Sequence, residues 1–175
     1  MPRNIEIKAR VESIAAIEPL AAALATQGPQ DLRQDDSFFR CAQGRLKLRT
    51  FADGSGELIA YQRADEAGPK TSTYVRTPAA DSAGLRDALA AACGLAGRVR
   101  KHRRLYLAGR TRIHLDEVEG LGAFLELEVV LADDEPVEAG MAEALALMAR
   151  LGVDSTALVE GAYLDLLASG PSPAG

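Results

Sequence analysis

A chain of 175 residues, 47% hydrophobic and 26% charged, is long enough to close one core without disulfides or a structural metal. Its formal net charge of -5 excludes the broad basic footprint of a nonspecific nucleic-acid or membrane-surface binder. No apolar run approaches the roughly 18 residues of a membrane span, and the start Met1-Pro2-Arg3-Asn4 lacks the apolar core of a secretory leader. The expectation is one cytoplasmic domain over residues 1–168 with a loose Pro/Ser/Gly tail over 169–175. Cys41 and Cys93 lack metal-ligand spacing and read as small apolar residues kept as thiols.

In chain order, period-two alternation predicts strands at Asn4 to Val11, Gln34 to Arg40, Arg45 to Phe51, Glu57 to Arg63, Thr71 to Thr77, Arg98 to Leu107, Thr111 to Glu117 and Ala123 to Leu131. Helical periodicity predicts helices at Ser13 to Thr26, Asp81 to Cys93, Val137 to Leu151 and Thr156 to Ala168, with Ser13, Asp81 and Ser155 placed as N-caps. Ala52-Asp53-Gly54-Ser55-Gly56 and Ala108-Gly109-Arg110 are hairpin signals, so their flanking strands run antiparallel. The fold class is therefore α+β.

The polar positions of the alternation are charged. Asn4, Glu6 and Lys8 share one face of the first strand, while Ile5, Ile7 and Ala9 share the other. Arg45, Lys47 and Arg49 repeat the pattern, as do Lys101 with Arg103, Arg112 with His114 and Asp116, and Glu126 with Glu128. An antiparallel sheet with one wet face explains each strand taken singly. Taken together, four helices need the apolar faces, and eight strands suffice to curl into a barrel with the charged faces lining its interior. Such an interior is costly to desolvate empty. Its arginines and lysines suit a polyphosphate, and its carboxylates suit a hard divalent cation, Mg²⁺ or Mn²⁺.

The order of these motifs resembles the CYTH superfamily, the triphosphate tunnel metalloenzymes that include class IV adenylyl cyclases and thiamine triphosphatases. Asn4-Ile5-Glu6-Ile7-Lys8 is similar to its N-terminal ExExK signature, Arg45-Leu46-Lys47-Leu48-Arg49 to its basic strand, and Lys101-His102-Arg103 to its K-x-R strand. Asp116-Glu117-Val118-Glu119-Gly120-Leu121-Gly122-Ala123-Phe124-Leu125-Glu126-Leu127-Glu128 resembles its D-x-V-x-G-L-G-x-F-x-E-x-E block, and Tyr163 a late tyrosine. The resemblance implies an eight-stranded antiparallel tunnel with helices packed outside. It implies metal ligands at Glu6, Asp116, Glu126 and Glu128, and phosphate contacts from Lys8, Arg45, Lys47, Arg49, Arg63, Lys101, Arg103 and Arg112. Glu6, Lys8, Lys101 and Arg103 are the catalytic set on that carry-over, and a homodimer is implied by analogy.

The activity so implied is cyclisation of ATP to cyclic AMP and pyrophosphate, with hydrolysis of thiamine triphosphate or tripolyphosphate, or noncatalytic polyphosphate binding, as alternatives. The chain departs from the pattern at Asn4, where the signature has its first Glu, and at Arg76, where relatives often carry an acid. At Gln62-Arg63 the alternation admits only one side chain to the interior. His114 reads as a hydrogen-bonded packing residue, and Gly120-Leu121-Gly122 as a tight turn. Lys101-His102-Arg103-Arg104 divides its charges between two faces, against a nucleic-acid patch. Tyr61 or Tyr74 at a tunnel mouth is a candidate for stacking on a base.

Overall fold

A computed structural model describes residues 2–64 and 67–169. Eight strands close into one antiparallel barrel: β1 (Arg3–Arg10), β2 (Gln27–Phe39), β3 (Arg45–Thr50), β4 (Gly56–Arg63), β5 (Lys70–Ala79), β6 (Leu95–Ala108), β7 (Thr111–Val118) and β8 (Gly122–Val130). Around the barrel they follow the order β1-β5-β4-β3-β2-β6-β7-β8. Closure removes the free sheet edges that an open array of this size would expose.

The apolar half of the alternation faces outward and is covered by α1 (Ile14–Leu24) and α3 (Val137–Arg150). Ile7, Ile113, Leu115, Leu125 and Leu127 pack with Ile14, Ile17 and Ala21 of α1 and Leu147 and Met148 of α3. Ile5 and Val129 pack with Ala144. Ile5, Ile7, Leu125 and Leu127 are fully buried, and each such side chain contributes about 1.5–3 kcal/mol of transfer free energy. Helix α2 (Ser82–Cys93) connects β5 to β6. As expected from the sequence, the Ser13 hydroxyl accepts the Ala16 N–H and the Asp81 carboxylate accepts the Gly84 N–H, satisfying otherwise unpaired donors at the starts of α1 and α2.

The structure departs from the sequence expectation at the starts of two strands, in the last helix and at the cysteines. Strand β2 begins at Gln27 rather than Gln34, and β6 at Leu95 rather than Arg98. The two long strands pair over most of their length, and this ladder extends β2 where Gly28, Pro29 and Asp31 break the alternation. The last helix is divided. A short 3-10 turn spans Ser155–Ala157, capped by Asp154 rather than Ser155, and α4 begins only at Tyr163. Between them the chain runs extended: Leu158 bridges Ala9, and the Val159 N–H donates to the Lys8 carbonyl. Cys41 and Cys93 are exposed free thiols, not buried apolar fillers. Of the tail assigned to Ser169–Gly175, all but Ser169 lies outside the described residues.

Helix α4 (Tyr163–Ala168) lies at the barrel end formed by the last residues of β2 and β7 and the first of β8. There Phe38, Val118, Phe124 and Tyr163 form a second apolar cluster. Gly120, with φ +82°, provides the left-handed turn between β7 and β8, supported by the Leu121 N–H donating to the Val118 carbonyl. Among the described residues, no helix is long and apolar enough to cross a membrane.

Candidate functional site

The inward half of the alternation encloses a cavity of about 300 Å³. Its wall carries Glu6, Lys8, Lys47, Arg49, Arg63, Lys101, Arg103, Arg112, His114, Glu126 and Glu128. Lys101 and Arg103 point inward, while Arg104 and His102 pair outside with Glu18 and Asp31, so the basic run divides as strand alternation requires. Arg63, not Gln62, enters the cavity.

On the basic side, Asp36 organises the wall. It accepts from Lys47 Nζ at 3.0 Å and from Arg49 Nε and Nη2, both at 2.8 Å. Burial alone would raise the Asp36 carboxyl, but Lys47 and Arg49 overwhelm that and hold it far below the usual carboxylate range. Sequence reasoning missed Asp36. The alternation puts Asp36 on one face with Gln34, but its place opposite Arg49 appears only in the β2–β3 register.

Arg103 is held by a two-pronged pair with Asp116, Nε to Oδ1 and Nη2 to Oδ2 both at 2.7 Å, and its Nη2 also reaches Glu126 Oε1 at 3.3 Å. The Tyr163 hydroxyl donates to Asp116 Oδ2 at 2.8 Å. Burial opposes ionisation of Asp116, and Arg103 and Lys101 outweigh it, leaving its pKa at about 2. Asp116 therefore acts as the counterion of Arg103 and is not part of the cavity wall. Arg45 lies at the end of the barrel, its guanidinium paired with Asp165 of α4 at 2.6 Å rather than lining the cavity.

Tyr163 carries two lysines. Lys8 Nζ sits 4.0 Å from its ring centroid and Lys101 Nζ 5.0 Å, a cation–π arrangement on one buried ring. Lys8 also lies 3.7 Å from Glu126 Oε2 and donates to the Gly161 carbonyl. Lys101 has no ion-pair partner among the described residues. Burial, reinforced by Arg103, lowers its pKa to about 7, and burial lowers that of Lys8 to about 8.

On the acidic side, Glu6 faces Glu128 across the β1–β8 register, and Lys8 faces Glu126. Burial and then Glu126 and Glu128 raise the Glu6 pKa against the pull of Arg63, whose Nη1 donates to Glu6 Oε2 at 3.0 Å. Arg112 Nη1 donates to Glu128 Oε2 at 3.1 Å, and His114 Nδ1 lies 3.3 Å from Glu126 Oε1. Asn4 and Gln34 line this space, and their Oδ1 and Oε1 atoms are buried without a hydrogen-bond partner, as is Arg63 Nε. Lys70, opposite Glu6 in the β1–β5 register and 1% exposed, is a further inward cation that sequence reasoning passed over.

Of the residues expected at the site, Glu6, Glu126 and Glu128 thus gather on one wall and Lys47, Arg49, Lys101 and Arg103 on another. One nitrogen of His114 and one oxygen each of Glu126 and Glu128 lie within 4.8 Å of one another, close enough to hold a metal ion. Burial and then the neighbouring Glu126 and Glu128 raise Glu6, and a divalent cation beside these carboxylates would favour its ionised form.

The CYTH domain family model matches residues 2–163. Among solved structures, a protein from Pyrococcus horikoshii OT3 superposes with a TM-score of 0.82 at 22% identity, covering 93% of this chain and 98% of its own. A candidate adenylate cyclase from Vibrio parahaemolyticus gives 0.73 at 20% identity, covering 94% of this chain and 97% of its own. A candidate adenylyl cyclase from Hippeastrum with a dominant triphosphatase activity gives 0.67 at 16% identity, covering 99% and 98%. At these identities the likeness concerns the fold. No curated protein matches the sequence.

Proposed function

The chain belongs to the CYTH domain family, and from that premise we propose that it is an enzyme that cleaves a phosphoanhydride bond of a triphosphate in the presence of Mg²⁺ or Mn²⁺. The observation that carries this reading is one cavity that gathers a cationic wall, Lys47, Arg49, Lys101 and Arg103, and a carboxylate wall, Glu6, Glu126 and Glu128, whose counterions are Arg63, Lys8, Arg103 and Arg112. Pure anion binding needs only the first wall, and a polyanion would repel the second unless a cation lay between them.

Each group then has a task. Arg49 and Lys47, oriented by Asp36, bind nonbridging phosphate oxygens, and Arg103, locked by Asp116, presents its guanidinium at a fixed angle. Lys8 and Lys101 hold their protons at Nζ once a phosphate is seated beside them, because the anion restores the charged form that burial disfavours. Tyr163 and α4 close one end of the barrel and exclude water. Glu6, Glu126 and Glu128 would hold the cation, which when bound neutralises phosphate charge and lowers the pKa of an attacking oxygen.

Hydrolysis of a compact triphosphate is the reaction that the geometry supports best. The cavity of about 300 Å³ is at the lower end of small-molecule sites, and its charged groups are all suited to phosphate and cation. Cyclisation of ATP, which the motif resemblance puts first, is the second reading. It draws support from Tyr61 and Tyr74, register partners on β4 and β5 that both line the cavity and can stack on a base. Phosphorus NMR of the products from tripolyphosphate, thiamine triphosphate and ATP separates them. Orthophosphate release that stops with EDTA supports hydrolysis, cyclic AMP with pyrophosphate supports the cyclase, and silence from every triphosphate overturns both.

A further inference from the structure

We infer that His114 supplies a nitrogen donor to the cation site, which makes this chain selective for Mn²⁺ over Mg²⁺. The inference rests on the reading that Glu126 and Glu128 hold a divalent cation, and adds to it a ligand of different chemistry.

His114 stands on β7 directly opposite Glu126 of β8, so its imidazole points inward, and it is 3% exposed. Its nitrogen and one oxygen from each of Glu126 and Glu128 lie within 4.8 Å of one another. A buried histidine beside a carboxylate is ordinarily explained by the hydrogen bond between them. Here Glu126 also has Arg103 Nη2 at 3.3 Å and Lys8 Nζ at 3.7 Å, so its charge does not rest on His114 alone.

A second observation points to a ligand. Asn4 Oδ1 is buried without a partner, its residue is 2% exposed, and it lines the same cavity. Asn4 is diagonal to Glu128 across the β1–β8 register, since Asn4 faces Val130 and Glu6 faces Glu128. An orphaned buried acceptor is costly, and a cation or its water would satisfy it. The donors within 4.8 Å of one another are thus an imidazole nitrogen and two carboxylate oxygens, with the Asn4 amide on the wall of the same cavity.

That set discriminates between Mg²⁺ and Mn²⁺. Mg²⁺ is a hard ion that takes oxygen ligands, keeps several waters and gains little from imidazole. Imidazole favours later transition ions, whereas carboxylates favour Mg²⁺, Ca²⁺ and Mn²⁺. Between Mg²⁺ and Mn²⁺, it is Mn²⁺ that gains from an imidazole nitrogen, while a neutral Asn4 in place of a carboxylate weakens the purely electrostatic attraction that serves both ions alike.

The test is pulsed electron paramagnetic resonance of Mn²⁺ bound to the full chain labelled with ¹⁵N-histidine, alongside Mn²⁺ and Mg²⁺ titrations. The chain has two histidines, and the other, His102, is paired with Asp31 outside the barrel. Coupling of Mn²⁺ to imidazole ¹⁵N is expected, with Mn²⁺ bound about tenfold or more tighter than Mg²⁺. His114→Gln should abolish the coupling and weaken Mn²⁺ by about tenfold or more, leaving Mg²⁺ little changed. Glu128→Gln should weaken both ions. Tightly bound Mn²⁺ without nitrogen coupling overturns the role of His114 and leaves the carboxylate site standing. No binding of either ion overturns the underlying reading instead. If His114→Gln does not fold, the wild-type spectrum alone decides.

Discussion

Leu125 and Glu126 are adjacent on β8 and face opposite ways. The leucine is fully buried among Ile7, Leu115 and the helices outside, whereas the glutamate sits in the cavity against Arg103, Lys8 and His114. The outer wall of the barrel is apolar and self-sufficient. The inner wall gathers Glu6, Glu126 and Glu128 with buried lysines whose charged forms burial opposes. On the proposed function, the contrast puts stability and activity on opposite faces of the same strands, so substitutions one residue apart should have opposite signatures.

The largest effect is expected from Glu126→Gln. Losing several kcal/mol of charge stabilisation in the transition state corresponds to a turnover drop on the order of a thousandfold. The thermal midpoint should change far less than activity, because Arg103 keeps its pair with Asp116. Kinetics and a thermal melt on the same preparation check both halves. Leu125→Ala should show the reverse, a loss of about 2–5 kcal/mol of stability with near-normal turnover in the protein that remains folded. A Leu125→Ala protein that kept its stability and lost its activity would break the assignment of faces.

Lys101→Met sharpens the comparison, because here the inner wall should prove a liability to the empty fold. The Lys101 pKa falls from an ordinary 10.5 to about 7 through burial and then Arg103. Between those values the unfolded chain holds a proton that the folded chain has released, so stability rises with pH over that window and the penalty is fully present below about 7. At pH 6, Lys101→Met should therefore stabilise the ligand-free protein by about 1 kcal/mol while weakening tripolyphosphate binding about tenfold or more. Denaturant melts and calorimetry read the two effects.

The smallest effect is a proton. At pH 8 the free protein holds Lys101 mostly neutral, and a bound phosphate favours the ammonium, so binding should take up a fraction of a proton. Calorimetry in two buffers of different ionisation enthalpy measures it. Identical heats in the two buffers would contradict the assignment of Lys101 to the phosphates.

Much of this was legible in the strands themselves. A period-two pattern with charges at every second position fixes which residues share a face, and the motif order from Asn4 to Glu128 determined where the walls would stand. Pairing between strands was not legible. Asp36 could be seen as inward but not as the carboxylate that Lys47 and Arg49 share, and Asp116 read as a metal ligand because nothing local showed Arg103 and Tyr163 converging on it. Arg45 was expected among the phosphate contacts, and its pair with Asp165 joins residues 120 positions apart. The last helix was misjudged for a related reason. Ala and Leu content suggested a continuous helix from Thr156, whereas backbone pairing of Leu158 and Val159 with β1 draws the chain out until Tyr163. His114, read as a hydrogen-bonded packing residue, is buried and does bond Glu126, but that partner appears only across the register.

The central claim is that the inner wall is a joint site for a triphosphate and a divalent cation. Calorimetric titration of tripolyphosphate into the full chain, with Mn²⁺ and then with EDTA, tests it most directly. The account predicts one tight site with Mn²⁺, weakened by salt and largely lost with EDTA. Absence of binding in both conditions, or binding that EDTA leaves unchanged, would contradict it.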